Sequence, residues 1–329
     1  HLIFRNQHCE VTTMKNFLLL IAALSIEGVM LQGTLARADI LPTPDQISEH
    51  VYAWIGPYGG PSKENNGFRM NLGFVMGTKA IAVIDSGYTP EMAKEMLVYI
   101  GKLSSLPIKY VINTNSQPHR FFGNGVFQKQ GAETISTHEE AERMKQLSAD
   151  FAARIETVLE RPSGSIKPPP APSTQLEAQK DLDLGGNIKI SLIPSGANHT
   201  ANSLIVVVPH DRVVFSGDIL YGGRLLAITP DSDVRHWLQA YQNLKQYVDY
   251  TFIPGHGKPA KLSAFDFPTY QYLSTLYTHM SKAVENDQSI DDAMASLDQS
   301  AFSKLENFKD LAGRNSSWTY LQAEQQAFE

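Results

Sequence analysis

The sequence predicts an α/β protein, a four-layer αββα sandwich with a helical C-terminal extension, and three observations predict it. Short apolar, β-branched runs recur between residues 51 and 112 and again between 188 and 253. Helix-start signals followed by amphipathic segments accompany the runs in both halves. A proline-dense stretch divides the halves, and from Leu262 the composition is polar-faced and helical. Two β-rich halves with helices on their outer sides bury two sheets against each other, which is the layered arrangement.

The N-terminal region reads as an export signal. Met14-Lys15 gives a positive start, Phe17 to Leu24 an apolar run, and Ala36-Arg37-Ala38 a small-x-small cleavage site. Glu27 interrupts the apolar stretch, so no membrane span is expected. Residues 1–13 precede the expected start at Met14 and contain Cys9, the only cysteine. The mature chain, from about Asp39, would lack thiols, excluding disulfides, iron–sulfur clusters and Cys-ligated zinc. A periplasmic or secreted location follows. A net charge of −6 without a Lys/Arg cluster argues against nucleic acid as a partner.

In the first half, Val51 to Ile55 is β-prone and a Gly/Pro/Asn-rich loop runs from Gly56 to Asn71. Leu72 to Met76 and Ala80 to Ile84, joined by Gly77-Thr78-Lys79, read as a hairpin. Thr89-Pro90 starts a helix as cap and first-turn proline, with Met92, Met96, Ile100 and Leu103 on one face. Lys109 to Ile112 is the next strand, and Glu139 to Leu159 a long helix. Residues 161–173 hold Pro162, Pro168, Pro169, Pro170 and Pro172 and must be an extended loop. It reads as a surface crossover between the halves or as a docking segment for a partner.

In the second half, Ile188 to Ile193, Leu204 to Val208 and Val213 to Phe215 are strands split by turns. Asp231 or Ser232 caps a helix that buries Val234, Trp237, Leu238, Tyr241 and Leu244. Thr251 to Ile253 is the last strand.

Five short strings sit where strands end: Val83-Ile84-Asp85-Ser86-Gly87, Asn113-Thr114-Asn115-Ser116-Gln117-Pro118-His119-Arg120, Gly196-Ala197-Asn198-His199-Thr200, Phe215-Ser216-Gly217-Asp218 and Pro254-Gly255-His256-Gly257. In this order they resemble the metallo-β-lactamase superfamily over roughly residues 45 to 260. The family's strand end T-H-x-H-x-D-H supplies ligands to two zinc ions. Here Asn115 and Gln117 stand at the first two His positions, His119 at the Asp and Arg120 at the last His. The resemblance makes His199 the vestigial third ligand of the first zinc site, Asp218 the bridging carboxylate and His256 a ligand of the second site. Asp85 would orient the ligands from behind.

Asn113-Thr114, Phe122-Gly123-Asn124 and Arg314-Asn315 followed by Tyr320 and Glu324 further resemble the periplasmic quinoprotein-relay zinc metallohydrolases, a branch linked to quinone-cofactor alcohol oxidation.

Amide oxygens are poor zinc ligands, and a guanidinium repels a dication. The expected outcome is therefore no metal, or a single divalent ion (zinc, iron or manganese) on His119, Asp218 and His256, and not a zinc pair. Asp218 could instead pair with Arg120 inside the emptied site. His119 reads as a ligand or as a hydrogen-bonded loop residue. His138, His210, His236 and His279 read as structural.

Three functions fit. The first is a non-hydrolytic member that binds a small molecule or partner. The second is a mononuclear hydrolase of ester, thioester or lactam bonds, with His199 as the candidate catalytic residue. The third is a metal-independent protein docking on a periplasmic quinoprotein dehydrogenase or its cytochrome. The organisation expected is 1–13, an export signal at 14–38, the sandwich at 39–260, and the extension at 261–329 packed on it.

Overall fold

A computed structural model describes residues 39–328. The expected export signal, the segment before it and Cys9 lie outside the described residues. Two sheets face each other. The first has seven strands in sequential order: β1 (Asp45–Gln46), β2 (Val51–Trp54), β3 (Leu72–Met76), β4 (Ile81–Ile84), β5 (Ile108–Ile112), β6 (Glu133–Thr137) and β7 (Thr174–Leu176). The second has five, ordered β12 (Thr251–His256), β11 (Val213–Tyr221), β10 (Leu204–Val208), β9 (Lys189–Pro194) and β8 (Lys180–Asp183).

Strand alternation produces the layers. Leu204, Val206 and Val208 of β10 point into the core between the sheets, where they share a cluster with Val75, Ala82, Ile84 and Ile112. Ile205 and Val207 point outward to a second cluster with Trp237 and Tyr241 of the helix Val234–Asn243. On the other side, Phe74, Val83 and Val111 pack against Met92 and Met96 of the helix Pro90–Leu103 and Met144 and Ile155 of the helix His138–Val158. The mixed α/β sandwich expected from the sequence is thus observed, with helices on both outer faces. Among the described residues no helix is long and apolar enough to cross a membrane.

Several local expectations need correction. Leu103 is exposed, because it falls in the last turn, beyond the buried stripe of Met92, Met96 and Ile100. The helix Val234–Asn243 is capped by Asp233, whose side chain accepts from the His236 backbone N–H, and not by Asp231 or Ser232. Asp231 instead pairs with Arg143, and the Ser232 hydroxyl donates to the His199 carbonyl. The proline-rich segment 161–173 does not cross between the sheets. It leads into β7, still in the first sheet, and the crossing follows between Leu176 and Lys180.

The pairs β4–β5 and β11–β12 are parallel, so their C-terminal ends emerge side by side. Loops at such ends are where open α/β sheets place ligands. Residues beyond Leu262 complete this end of the second sheet. Leu262, Phe265, Tyr272, Leu273, Leu276, Phe302 and Leu311 share the outer cluster with Val214, Phe252 and the 225–228 loop. Asn315, on the helix Phe308–Ala327, accepts from the Ile228 N–H and donates to the Leu226 carbonyl and the Tyr272 hydroxyl.

Candidate functional site

Asp85 follows β4 with φ of 60°, a left-handed conformation that non-glycine residues rarely adopt. Its backbone N–H is held by the Ile112 carbonyl, and its carboxylate accepts from the Thr114 N–H at 2.7 Å and the Thr114 hydroxyl at 2.8 Å. The strain is offset by fixing the loop that leaves β5. Ser116 to Arg120 then turn into the short helix Pro118–Phe121, which aims His119 and Arg120 into the protein. Asn113 and Asn124 exchange side-chain hydrogen bonds at 3.0 and 2.7 Å and clamp the two ends of this excursion.

Arg120 is the centre of the site and only 1% exposed. A guanidinium has five N–H donors, and all five are used. Nε and Nη2 grip the two oxygens of Asp218 at 3.1 and 2.6 Å. Nη1 donates to Asp85 Oδ2 at 3.1 Å and to the Asn71 carbonyl at 2.9 Å, and Nη2 also to the Gly255 carbonyl at 3.1 Å. Gly255 makes the approach possible, since a Cβ there would lie 2.2 Å from Asp218 Oδ1. Asn115 Nδ2 donates to Asp218 Oδ2 at 2.7 Å, while its Oδ1 accepts from the Gln117 N–H.

Burial would raise the Asp218 carboxyl, but the Arg120 charge gripping both its oxygens holds it well below the usual carboxylate range. Asp85 goes the other way, to about 6, because burial outweighs its single bond from Arg120. The contrast follows geometry: Asp218 receives the bidentate grip.

The ligand-type atoms of His119, Asp218 and His256 all lie within 4.8 Å of one another, and His199 is not part of this group. Its ring instead stands edge-on to Trp237 at 5.2 Å and Tyr221 at 6.1 Å, on the wall of the same cavity. His256 Nδ1 lies 2.8 Å from the Arg69 carbonyl, an acceptor only, so it must carry the proton. Its Nε2 then faces Asp218 Oδ1 at 3.3 Å. Burial keeps His256 neutral, its pKa held down to about 3. Both nitrogens of buried His119 lack a hydrogen-bond partner, as does His199 Nδ1. Burial, then the Arg120 charge, holds His119 well below the ordinary range.

A cavity of about 540 Å³ opens beside this cluster and is lined by His119, His199 and His256 together with Gln117. Its wall also holds Arg314, which the sequence marked only as part of the branch-like Arg314-Asn315 pair, and four residues the sequence did not mark: Arg69, Arg154, Tyr221 and Arg224. Tyr221 stacks on His256 at 5.0 Å. No short motif marks Arg69, Arg154 or Arg224; only the fold gathers them with Arg314. The other group of metal-ligand type among the described residues, Glu49, His50 and His210, is partly exposed. There His50 Nδ1 meets Asp211 at 2.9 Å and ties β2 to the turn before β11.

The sequence profile of the Metallo-beta-lactamase superfamily matches residues 67–256. The Metallo-beta-lactamase type 2 of Bacillus sp. (strain 170) is 24% identical over 243 residues, 72% of this chain and 83% of that protein. The Metallo-beta-lactamase type 2 of Bacillus cereus is 24% identical over 212 residues, 63% of this chain and 73% of that protein. Among solved structures, a metallo-beta-lactamase from Pontibacter korlensis superposes with a TM-score of 0.58 at 20% identity, covering 70% of this chain and 98% of its own. The DIM-1 metallo-beta-lactamase superposes at 0.56 with 16% identity, covering 71% and 99%. These structural likenesses bear on the fold.

Proposed function

The chain belongs to the metallo-beta-lactamase superfamily, and from that premise we propose a non-hydrolytic member that binds a ligand in the cavity beside Asp218. One observation carries the reading: the Arg120 guanidinium, with every donor satisfied, already neutralises the carboxylate that would bridge two metals. Superfamily members usually bind zinc, and the residues here decide what can be held. A zinc pair does not fit them. Asn115 spends its amide on Asp218 and the Gln117 backbone, and a dication ~4 Å from the guanidinium would meet roughly 8 kcal/mol of repulsion at an effective dielectric of about 20. That is a large part of the ~10–16 kcal/mol with which strong zinc sites hold their ion.

A second reading has its own support. The unpartnered nitrogens of His119 and the bare Nε2 of His256 beside Asp218 are a donor set for one zinc, iron or manganese ion. On that reading the protein is a mononuclear hydrolase, and Arg120 must yield part of Asp218.

The setting we propose is the periplasm after export, beside quinoprotein oxidation, with a quinoprotein dehydrogenase or its cytochrome as partner. Its support is the export pattern and the branch-like residues 113–114, 122–124 and 314–315. In the fold Asn113, Asn124 and Asn315 act as clamps.

The test is a panel of ester, thioester and lactam substrates with wild type and His256→Ala, each with excess zinc and with chelator. The expected result is no turnover that any of these changes affects. Turnover abolished both by chelator and by His256→Ala would establish the mononuclear hydrolase instead.

A further inference from the structure

The cavity wall carries a charge excess opposite to that of the molecule. In a chain of net charge −6, Arg69, Arg154, Arg224 and Arg314 all line it. Among the described residues, none of the four has a carboxylate within ion-pair distance. Asp231, also on the wall, is taken by Arg143 at 2.5 Å.

Two of the four are built in rather than displayed. Arg224 is 4% exposed, yet its Nη1 has no hydrogen-bond partner, and its Nε reaches only the Leu225 carbonyl at 3.3 Å. Its loop is pinned by Glu306, whose carbonyl accepts from the Leu225 N–H and whose N–H donates to the Gly223 carbonyl. The guanidinium lies 5.8 Å over the Tyr221 ring. Arg69 presents a buried Nε without a partner, while its carbonyl holds His256. Burial, and then the Arg224 charge, push Arg69 down to about 10, so two cations crowd one space. Buried unpaired donors of this kind cost the fold free energy unless something accepts from them. Arg154 and Arg314 are exposed, on the helices His138–Val158 and Phe308–Ala327. Phe151 and Trp318, on the same two helices, add aromatic wall.

We propose that this cavity binds a small organic oxyanion, a carboxylate or phosphate monoester with an aromatic or apolar body. Arg224 and Arg69 take the oxyanion, and Arg154 and Arg314 draw it in from the mouth. The volume suits a small molecule. Two of the residues, Arg314 and Trp318, come from beyond the family-matched segment, so the C-terminal helix is part of the site. The proposal rests on reading this cavity as a ligand pocket, and it names the ligand's chemistry.

Calorimetric titration of the full chain with phenyl phosphate, benzoate, inorganic phosphate and neutral benzyl alcohol tests it. At least one aromatic anion should bind saturably, about tenfold or more tighter than benzyl alcohol, and Arg224→Gln should weaken it by about tenfold or more. Because Arg224 is buried, the exposed pair Arg154→Gln/Arg314→Gln gives an independent readout: a severalfold loss and a shallower salt dependence. Preference for phenyl phosphate over benzoate identifies a phosphate monoester, the reverse a carboxylate, and inorganic phosphate binding as well as phenyl phosphate removes the organic body from the proposal. The proposal fails if neither aromatic anion binds, if benzyl alcohol binds as tightly, or if the folded variants bind unchanged. Zinc-dependent turnover in the substrate panel would overturn the non-hydrolytic reading and leave the anion site standing; failure of anion binding does the reverse.

Discussion

Arg120 shows how one side chain sets the character of the site. Its five bonds bring together Asp218, Asp85, the Asn71 carbonyl and the Gly255 carbonyl, all buried. Removing it leaves two buried carboxylates without their counter-charge. Arg120→Met should therefore lower stability by ~3–5 kcal/mol in urea unfolding, the usual cost of breaking a buried ion pair from one side. Arg120→Met combined with Asp218→Leu should recover much of that loss, because no unpaired charge is left on Asp218. A double variant as unstable as the single one would mean that the pair is not the determinant. The pairing of Arg120 with Asp218 was legible in the sequence, because His-to-Arg at a motif position poses the question of where the charge goes. The roles of Asn115, Arg69 and Arg224 were not. Asn115 meets Asp218 across 103 positions of sequence, and lone arginines in loops carry no periodicity or spacing to read.

At the scale of elements, the strand ends were the readable part. β-branched runs flanked by turns gave β3, β4, β5, β9 and β10 with nearly their observed bounds. Thr89 caps its helix, accepting from the Met92 N–H. The strands that escaped are polar or short: Asp45–Gln46, Glu133–Thr137, Thr174–Leu176 and Lys180–Asp183 form because neighbours offer a ladder, not because their composition asks for one. The two short helices after Pro118 were hidden within the motif and its glycine. The C-terminal helix matters through Asn315, which satisfies a donor and an acceptor of the 226–228 loop that borders the cavity. Asn315→Ala leaves both unpaired and should cost about 2–3 kcal/mol. Hydrogen exchange at the Ile228 amide should accelerate with it. Unchanged exchange there would show that the helix does not brace the cavity wall.

For the whole molecule, the buried histidines make stability depend on pH. His119, His199 and His256 are held below their ordinary range, so below about pH 6.5 the unfolded chain takes up protons that the fold refuses. Stability should then fall as the pH falls. His256 alone, at about 3, accounts for roughly 2 kcal/mol at pH 5. Asp85, raised to about 6, has the opposite sign and returns only ~1 kcal/mol over that range. The urea midpoint of metal-free protein should be lower at pH 5 than at pH 7.5; a higher one would show that the histidines are charged in the fold. The layered architecture was legible from the sequence because it follows from alternation and helix caps. The cavity was not, because its walls come from stretches scattered between Pro61 and Trp318 that only the folded chain joins. In the proposed reading the Arg120 guanidinium supplies at Asp218 the charge that a metal pair would bring. Metal content by mass spectrometry, on untagged residues 39–329 purified without chelator and then incubated with excess zinc, tests it most directly. Far less than one equivalent of any transition metal is expected, and a full equivalent retained by wild type but lost in His256→Ala would show instead that Asp218 serves a metal.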